Sequence, residues 1–112
     1  MKISIQNAEH YQWGDNCDGW HLLKSDGLSV IQERMPAGTS ETRHFHHRSQ
    51  QLFYVLSGTA KFEIEGEVFF LNPGDSIHVE KGKKHCISNP GIEDLGFMVI
   101  SEPKAHGDRV EV

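Results

Sequence analysis

Residues 38–58 read GTSETRHFHHRSQQLFYVLSG and contain the most informative spacing in the chain. His44 and His46 stand one residue apart near the centre, and Gln51 follows five positions after His46. Because alternate side chains of an extended strand point to the same face, the two imidazoles should project together. Two adjacent imidazoles and a nearby amide oxygen supply most of a metal site. We expect the remaining ligand to come from a distant part of the chain, where His85 is the best-placed candidate.

The residues after this stretch predict short β-strands. Glycines occur at positions 58, 66, 74 and 82, and β-branched and aromatic residues fill the intervals between them. The chain lacks the 3.6-residue periodicity of an amphipathic helix. Strands at regular intervals of ~8–12 residues are typical of a β-sandwich or a barrel. The pattern therefore predicts an all-β fold.

Alternation along the predicted strands assigns side chains to the interior or the exterior. In the strand that follows position 58, Ala60, Phe62 and Ile64 share one face, which is the apolar and hence the interior face. His85 and Ile87 also share a face. A ligand role for His85 would therefore place it inside the fold, beside apolar neighbours.

Composition and charge are consistent with one small domain over residues 1–112. A chain of 112 residues has room for one hydrophobic core and little else. The net charge is -5, and no run of Lys or Arg stands out along the chain. We therefore expect neither nucleic acid nor a membrane surface as a partner.

The two cysteines, Cys17 and Cys86, are too few for a disulfide scaffold and form no CxxC pair. Residues 1–10 lack the apolar run of a signal peptide, and no segment approaches the ~20 apolar residues of a membrane span. We expect a cytoplasmic protein with reduced thiols. A short edge strand is predicted within residues 1–6, and a polar, only partly ordered tail over 103–112.

The spacing of these residues resembles the two signature motifs of the cupin superfamily. The first motif lies at residues 38–58, where Gln51 occupies the position of the usual acidic residue. The second lies at residues 74–89, where Glu80 replaces a proline. The positions that match both motifs in type and spacing are Gly38, His44, His46, Gly58, Gly74, Gly82, His85 and Asn89.

The resemblance implies a double-stranded β-helix, or jelly-roll, barrel with one divalent transition metal ion inside. The implied ligands are His44, His46, Gln51 and His85, and the candidate ions are Mn, Fe, Ni, Zn and Cu. Three imidazoles and an amide are neutral, so a divalent ion would keep its full double charge. That charge attracts an anionic oxygen of a substrate and makes oxidation of the metal harder.

These properties favour non-redox chemistry. We expect a metal-dependent enzyme that acts on a small anionic or sugar-like molecule by isomerisation or ring opening. An iron-dependent dioxygenase with the same ligands is one alternative, and a non-catalytic metal-binding or sugar-binding module is another. The sequence assigns no catalytic acid or base, and its candidates for lining the pocket are Tyr11, Trp20, Glu33, Arg34, Phe53 and Glu80.

An apolar stripe predicts a homodimer. Along the strand that begins near Gln51, the side chains of Leu52, Tyr54 and Leu56 lie on the face opposite to Gln51. They therefore point outward if Gln51 points inward. Three large apolar side chains in a row on an outer surface need a cover. We expect a second copy of the chain to supply it.

Overall fold

Every regular element in the computed structural model, which describes residues 1–112, is a β-strand. The chain contains no helix with the length and apolarity that crossing a bilayer demands. The strands are β1 (Glu9–Trp13), β2 (Cys17–Lys24), β3 (Ser29–Met35), β4 (His44–His46), β5 (Gln50–Ser57), β6 (Ala60–Ile64), β7 (Glu67–Leu71), β8 (Ser76–Val79), β9 (His85–Ser88), β10 (Leu95–Glu102) and β11 (Arg109–Glu111).

The strands form two antiparallel sheets. One has six strands in the order β1-β2-β3-β10-β5-β8, and the other has five in the order β11-β4-β9-β6-β7. From β4 onward the chain passes repeatedly from one sheet to the other, because β4, β6, β7, β9 and β11 lie in the second sheet and β5, β8 and β10 in the first. This winding makes a double-stranded β-helix, so the predicted all-β jelly roll is confirmed.

The side chains predicted to face inward form the core. Ala60 and Phe62 are fully buried, and Ile87 is 1% exposed. Phe53 packs edge-on against Phe62, with ring centroids 4.8 Å apart. Burying a large apolar side chain contributes roughly 1.5–3 kcal/mol. Period-two alternation therefore predicted the interior of β6 and β9 correctly.

The regularly spaced glycines occupy turns between strands. Each has a positive φ, a conformation that other L-residues avoid. At Gly58, where φ is 79°, a Cβ atom would also lie 2.7 Å from the carbonyl oxygen of Asp94. Glycine is thus required there both by the backbone conformation and by the close approach of the connection between β9 and β10.

The edge strand predicted within residues 1–6 is wrong, because the first strand begins at Glu9. The N–H groups of Asn7 and Ala8 donate to the carbonyl oxygen of Ser4 at 3.1 and 2.8 Å, which closes a turn. The side-chain oxygen of Asn7 also accepts a hydrogen bond from the Ser4 N–H at 2.8 Å. Local hydrogen bonds of this kind compete with strand formation.

The chain after Pro103 is more ordered than the predicted polar tail. Its last strand, β11, pairs with β4, and Arg109 stands opposite His46. Just before β11, the buried carboxylate of Asp108 accepts hydrogen bonds from the N–H groups of residues 47–49 at 2.9–3.2 Å. These bonds tie the C-terminal segment to the loop that follows the two motif histidines.

Candidate metal centre

Three buried histidines converge on the inner face of the five-stranded sheet. His44 and His46 come from β4 and His85 from β9, where it pairs directly with His44. Their exposed fractions are 3%, 5% and 1%. One potential ligand atom from each lies within 4.8 Å of the others. The structure therefore brings together the three histidines that the sequence singled out, in positions suited to binding one metal ion.

Main-chain carbonyl groups orient two of the three rings. Nδ1 of His44 lies 2.8 Å from the Thr42 carbonyl oxygen, and Nδ1 of His85 lies 2.9 Å from that of Lys83. Because a carbonyl only accepts, each Nδ1 carries the proton and each Nε2 keeps a free lone pair. A hydrogen bond behind the ring is the usual support of a histidine metal ligand.

Several atoms at the site that could bind a metal ion are buried without a hydrogen-bond partner. They are Nε2 of His85, Nδ1 of His46 and Oε1 of Gln51. A buried polar atom left unpaired costs ~1–3 kcal/mol, so these atoms need a partner that the protein does not supply. A metal ion is such a partner, and the residues present fit one.

Gln51, the predicted fourth ligand, comes from the strand after the two motif histidines. It stands on β5 opposite Ser101 of β10, and its Nε2 donates to the Ser101 hydroxyl oxygen at 3.0 Å. That bond leaves the amide oxygen free. Gln51 lines the same cavity as His44 and His46, so its oxygen is available as a fourth ligand.

The histidines are held in the neutral form that binds metal. Burial lowers the pKa of His44 to about 3, although the hydrogen bond between Nδ1 and the Thr42 carbonyl acts in the opposite direction. Burial and the neighbouring His85 lower the pKa of His46 to about 4. The pKa of His85 is lowered as well, chiefly by burial. At neutral pH all three rings therefore offer lone pairs without first losing a proton.

A cavity of about 310 Å³ lies next to the histidines. Its apolar wall includes Trp13, Ile31 and Phe53, and His44 and His46 lie on its polar side. His85 does not line it; the imidazole is stacked parallel to the Phe62 ring, with an interplanar angle of 4°. A molecule in the cavity would therefore meet His44, His46 and Gln51, with His85 behind them.

Two carboxyl groups face the same cavity. Glu41 comes from the segment before β4, and Glu33 comes from β3. Burial raises the pKa of Glu41 to about 7, although the Ile87 N–H donates to it at 3.0 Å. Burial, and secondly the nearby Glu41, raise the pKa of Glu33 to about 8. Both groups can hold or release a proton near neutral pH.

Tyr11 reaches Glu33 by lying across Gly19. Tyr11 of β1 stands opposite Gly19 of β2, which in turn stands opposite Glu33 of β3. A Cβ atom at Gly19 would lie 2.6 Å from the Tyr11 hydroxyl oxygen. Because that side chain is missing, the tyrosine ring can cross β2 toward the glutamate. Burial, and next the Glu33 carboxylate, raise the pKa of Tyr11.

The other candidates named from the sequence divide into two groups. Tyr11, Glu33 and Phe53 do line the cavity. Arg34 instead binds Asp18 and Asp94 at 2.7 and 3.1 Å, away from the cavity. Trp20 and Glu80 also lie outside the cavity wall.

Sequence reasoning missed Glu41 and Arg109. Glu41 belongs to no strand, so alternation could not assign it a face. Arg109 lies in the segment interpreted as a tail, and only the pairing of β11 with β4 brings it to the cavity. The position of Glu41 inside the first motif was the one available signal.

Comparison with protein families agrees with the fold. The sequence model described as the cupin domain matches residues 31–101. That range contains all four predicted ligands.

Two relatives of known name are similar in sequence. The mannose-1-phosphate guanylyltransferase of Salmonella montevideo is 41% identical over 99 residues, which cover 86% of this chain and 20% of the enzyme. The chain thus spans about a fifth of the length of that relative. The oxalate-binding protein of Thermotoga maritima is 30% identical over 85 residues, which cover 71% of this chain and 70% of that protein.

A solved structure shows the same architecture. KdgF from Halomonas sp. superposes with a TM-score of 0.83 at 21% identity, covering 90% of this chain and 93% of that one. At this level of identity the likeness establishes the shared jelly-roll fold.

Proposed function

This chain belongs to the cupin family, and we propose on that basis that it is a small metal-dependent enzyme. It would use a divalent transition metal ion as a Lewis acid on a small anionic or sugar-like substrate, by isomerisation or ring opening. One observation carries the proposal: His46, Gln51 and His85 have buried, unpaired potential ligand atoms, and the cavity lined by His46 and Gln51 also holds two carboxyl groups.

His44, His46, His85 and Gln51 would hold the ion. When bound, it would supply Lewis acidity, drawing electron density from a carbonyl oxygen and stabilising negative charge on it. Because the four ligands are uncharged, they would leave the double positive charge of the ion unneutralised. The Gln51 amide cannot accept a proton, and proton transfer therefore falls to other residues.

Glu33 and Glu41 are the groups suited to proton transfer. Isomerisation and ring opening both move a proton from one atom of the substrate to another. A general acid or base works best when its pKa is close to the working pH. With pKa values of about 8 and about 7, each carboxyl exists in both forms near neutral pH.

The cavity suits a small, partly apolar and partly hydroxylated molecule. Its volume of about 310 Å³ lies at the lower end of the range of ligand pockets. Trp13 and Phe53 offer flat apolar surfaces, while Ser29 and Ser101 offer hydroxyl groups. The aromatic side chains would exclude water from one side of the ligand, and the hydroxyl groups would position its oxygens.

The names of the relatives support a small oxygen-rich ligand. One relative is named for mannose 1-phosphate and the other for oxalate binding. The chain matches only 20% of the guanylyltransferase, so the nucleotidyl transfer in that name does not extend to this chain. A small anionic or sugar-like ligand is the chemistry that both names share.

A non-catalytic binding module is the second candidate. The relative that this chain covers to 70% is named for binding oxalate and not for converting it. In that case the same ligands would hold the ion, and the cavity would retain its ligand unchanged.

Metal analysis tests the first part of the proposal. Protein purified without a metal-binding tag would be loaded in turn with Mn, Fe, Ni, Zn and Cu and analysed by plasma mass spectrometry. We expect one equivalent of a transition metal in the native protein and a loss of at least tenfold in affinity in His85→Ala. His78→Ala is the matched control, because His78 is exposed on β8. Protein that binds no stoichiometric metal under any loading would rule out the proposed function.

Turnover of sugar acids and related carbonyl compounds tests the second part. The loaded protein would be incubated with a set of such compounds in deuterated water and followed by proton NMR. Deuterium entering a carbon next to a carbonyl group supports isomerisation, whereas oxygen uptake by the iron-loaded protein supports the dioxygenase. Saturable binding without either change would establish the binding module.

A further inference from the structure

Arg109 is the one arginine of this chain that makes no salt bridge. The other three arginines each have a carboxylate partner within 4.0 Å: Arg34, Arg43 and Arg48. No carboxylate oxygen lies within that distance of Arg109, although Glu33 and Glu41 are on the wall of the same cavity. The positively charged guanidinium group of Arg109 therefore lies at the site without a counter-ion.

The pairing of β11 with β4 places Arg109 beside the histidine group. Arg109 stands directly opposite His46 in the antiparallel ladder. Side chains at opposite positions of such a pair project on the same side of the sheet. Both residues accordingly line the cavity, where Arg109 is the only Arg or Lys.

Most of the hydrogen-bonding capacity of Arg109 is unused. A guanidinium has five N–H donors, and in Arg109 one nitrogen, Nη2, donates to the Thr42 carbonyl oxygen at 3.0 Å. No other side-chain hydrogen bond from Arg109 to the protein is formed. The bond to Thr42 anchors one arm of the fork and leaves the remaining donors for a ligand.

We propose that Arg109 binds the carboxylate group of a small carboxylic acid in the cavity. The planar fork of a guanidinium matches the two oxygens of a carboxylate. A doubly charged phosphate fits the metal-free cavity less well, because the cavity wall has one Arg or Lys side chain, two carboxyl groups and no helix N-terminus. The proposal rests on the proposed function for the identity of the cavity as the substrate site, and it assigns the anionic part of the substrate to Arg109.

The test uses acetate as the probe and the arginine Nε–H signals as the readout. Metal-free ¹⁵N-labelled protein would be titrated at constant ionic strength with acetate, with the isosteric neutral acetamide, and with inorganic phosphate. We expect acetate to shift the Arg109 signal saturably, with a Kd at least tenfold below those of acetamide and phosphate. Arg48 is the internal control, because its side chain is 79% exposed and does not line the cavity.

Variants separate charge from geometry. In Arg109→Gln the acetate-dependent shift of the Gly107 amide, which also lines the cavity, should disappear. Arg109→Lys should retain binding with an affinity at least threefold weaker. Near-ultraviolet circular dichroism would verify that both variants are folded.

Three results would overturn the inference: equal, non-saturating shifts of Arg109 and Arg48, a tighter Kd for phosphate, or undiminished binding by Arg109→Gln. The titration needs no metal and no turnover. Saturable acetate binding by a protein that takes up no metal would thus support Arg109 while refuting the proposed metal chemistry.

Discussion

Gly19 controls the position of Tyr11, because the tyrosine ring occupies the space that a side chain would fill. The contact is independent of turn geometry, since Gly19 lies within β2 and has no positive φ. In sequence this glycine simply weakens a strand. In the fold it allows a residue of β1 to reach a residue of β3.

We predict that Gly19→Ala is destabilising. Overpacking a well-packed position costs ~1–3 kcal/mol, and Tyr11 would have to withdraw from Glu33. Urea unfolding measures the cost. Gly27→Ala is the matched control, because a Cβ atom there meets nothing within 4 Å, and it should change stability by less than about 0.5 kcal/mol. Equal effects of the two substitutions would contradict this role of Gly19.

We predict that Glu33→Gln changes the pH dependence of stability in metal-free protein. The pKa of Glu33 rises from 4.5 to about 8 in the fold, so between these values the folded state binds more protons than the unfolded state. The contribution of Glu33 to stability is therefore fully present below pH 4.5 and is lost as the pH rises through 8. Glu33→Gln removes this loss and should gain stability relative to the native protein between pH 5 and pH 9.

Unfolding in urea at pH 5, 7 and 9 measures that difference. Glu80→Gln is the control, because Glu80 is exposed and lies away from the cavity. A stability difference between Glu33→Gln and the native protein that stays constant across this range would show that Glu33 is not held protonated by its surroundings.

At the scale of the element, β11 depends on one carboxylate. Asp108 precedes the strand and accepts hydrogen bonds from the N–H groups of residues 47–49. Burial alone would raise the pKa of Asp108, but the N–H groups of residues 47–49 and the nearby His46 together outweigh burial and lower it. The resulting anchor holds β11, and with it Arg109, at the edge of the cavity.

We predict that Asp108→Ala costs ~2–4 kcal/mol, because hydrogen bonds to a buried charged group are among the stronger ones. The amides of residues 47–49 should exchange with solvent at least tenfold faster. Because the pKa of Asp108 is depressed in the fold, its contribution is present above pH 3.8 and is lost as the pH falls below that value. Asp26→Ala, which removes an exposed carboxylate paired with Lys104, is the control. Unchanged amide exchange would mean that the anchor is dispensable.

The same element shows where sequence reasoning ends. The strands that carry His44, His46 and His85 could be predicted, because alternation and motif spacing are local properties of the chain. The place of Arg109 could not, because β11 joins β4 across more than sixty residues and no local pattern encodes that pairing. Glu41 was missed for a related reason, since a side chain outside a strand has no periodicity from which to assign its direction.

At the scale of the whole molecule, the outer face of the six-stranded sheet carries an apolar patch. Tyr54 pairs with Met98, and Ile100 lies between Leu52 and Val30. We call these five side chains the outer apolar face. Tyr54 is 40% exposed, as is the neighbouring Leu56. An uncovered surface of this kind is typical of an interaction site.

We predict that two copies of the chain associate through the outer apolar face. A stable dimer buries ~1,200–2,000 Å² in total, and light scattering across a range of concentrations should give twice the monomer mass of 12.7 kDa. Tyr54→Glu should shift the mass toward the monomer. Phe70→Glu, on the edge strand of the other sheet and 63% exposed in the native chain, should leave it unchanged. A monomeric mass at every concentration would exclude the dimer.

His85 lies behind His44 and outside the cavity wall, against Phe62. An ion held there would exchange with solution by way of the cavity. A molecule that fills the cavity would then also delay the departure of the ion. The residence time of that molecule would therefore govern how fast a chelator can remove the metal from the protein.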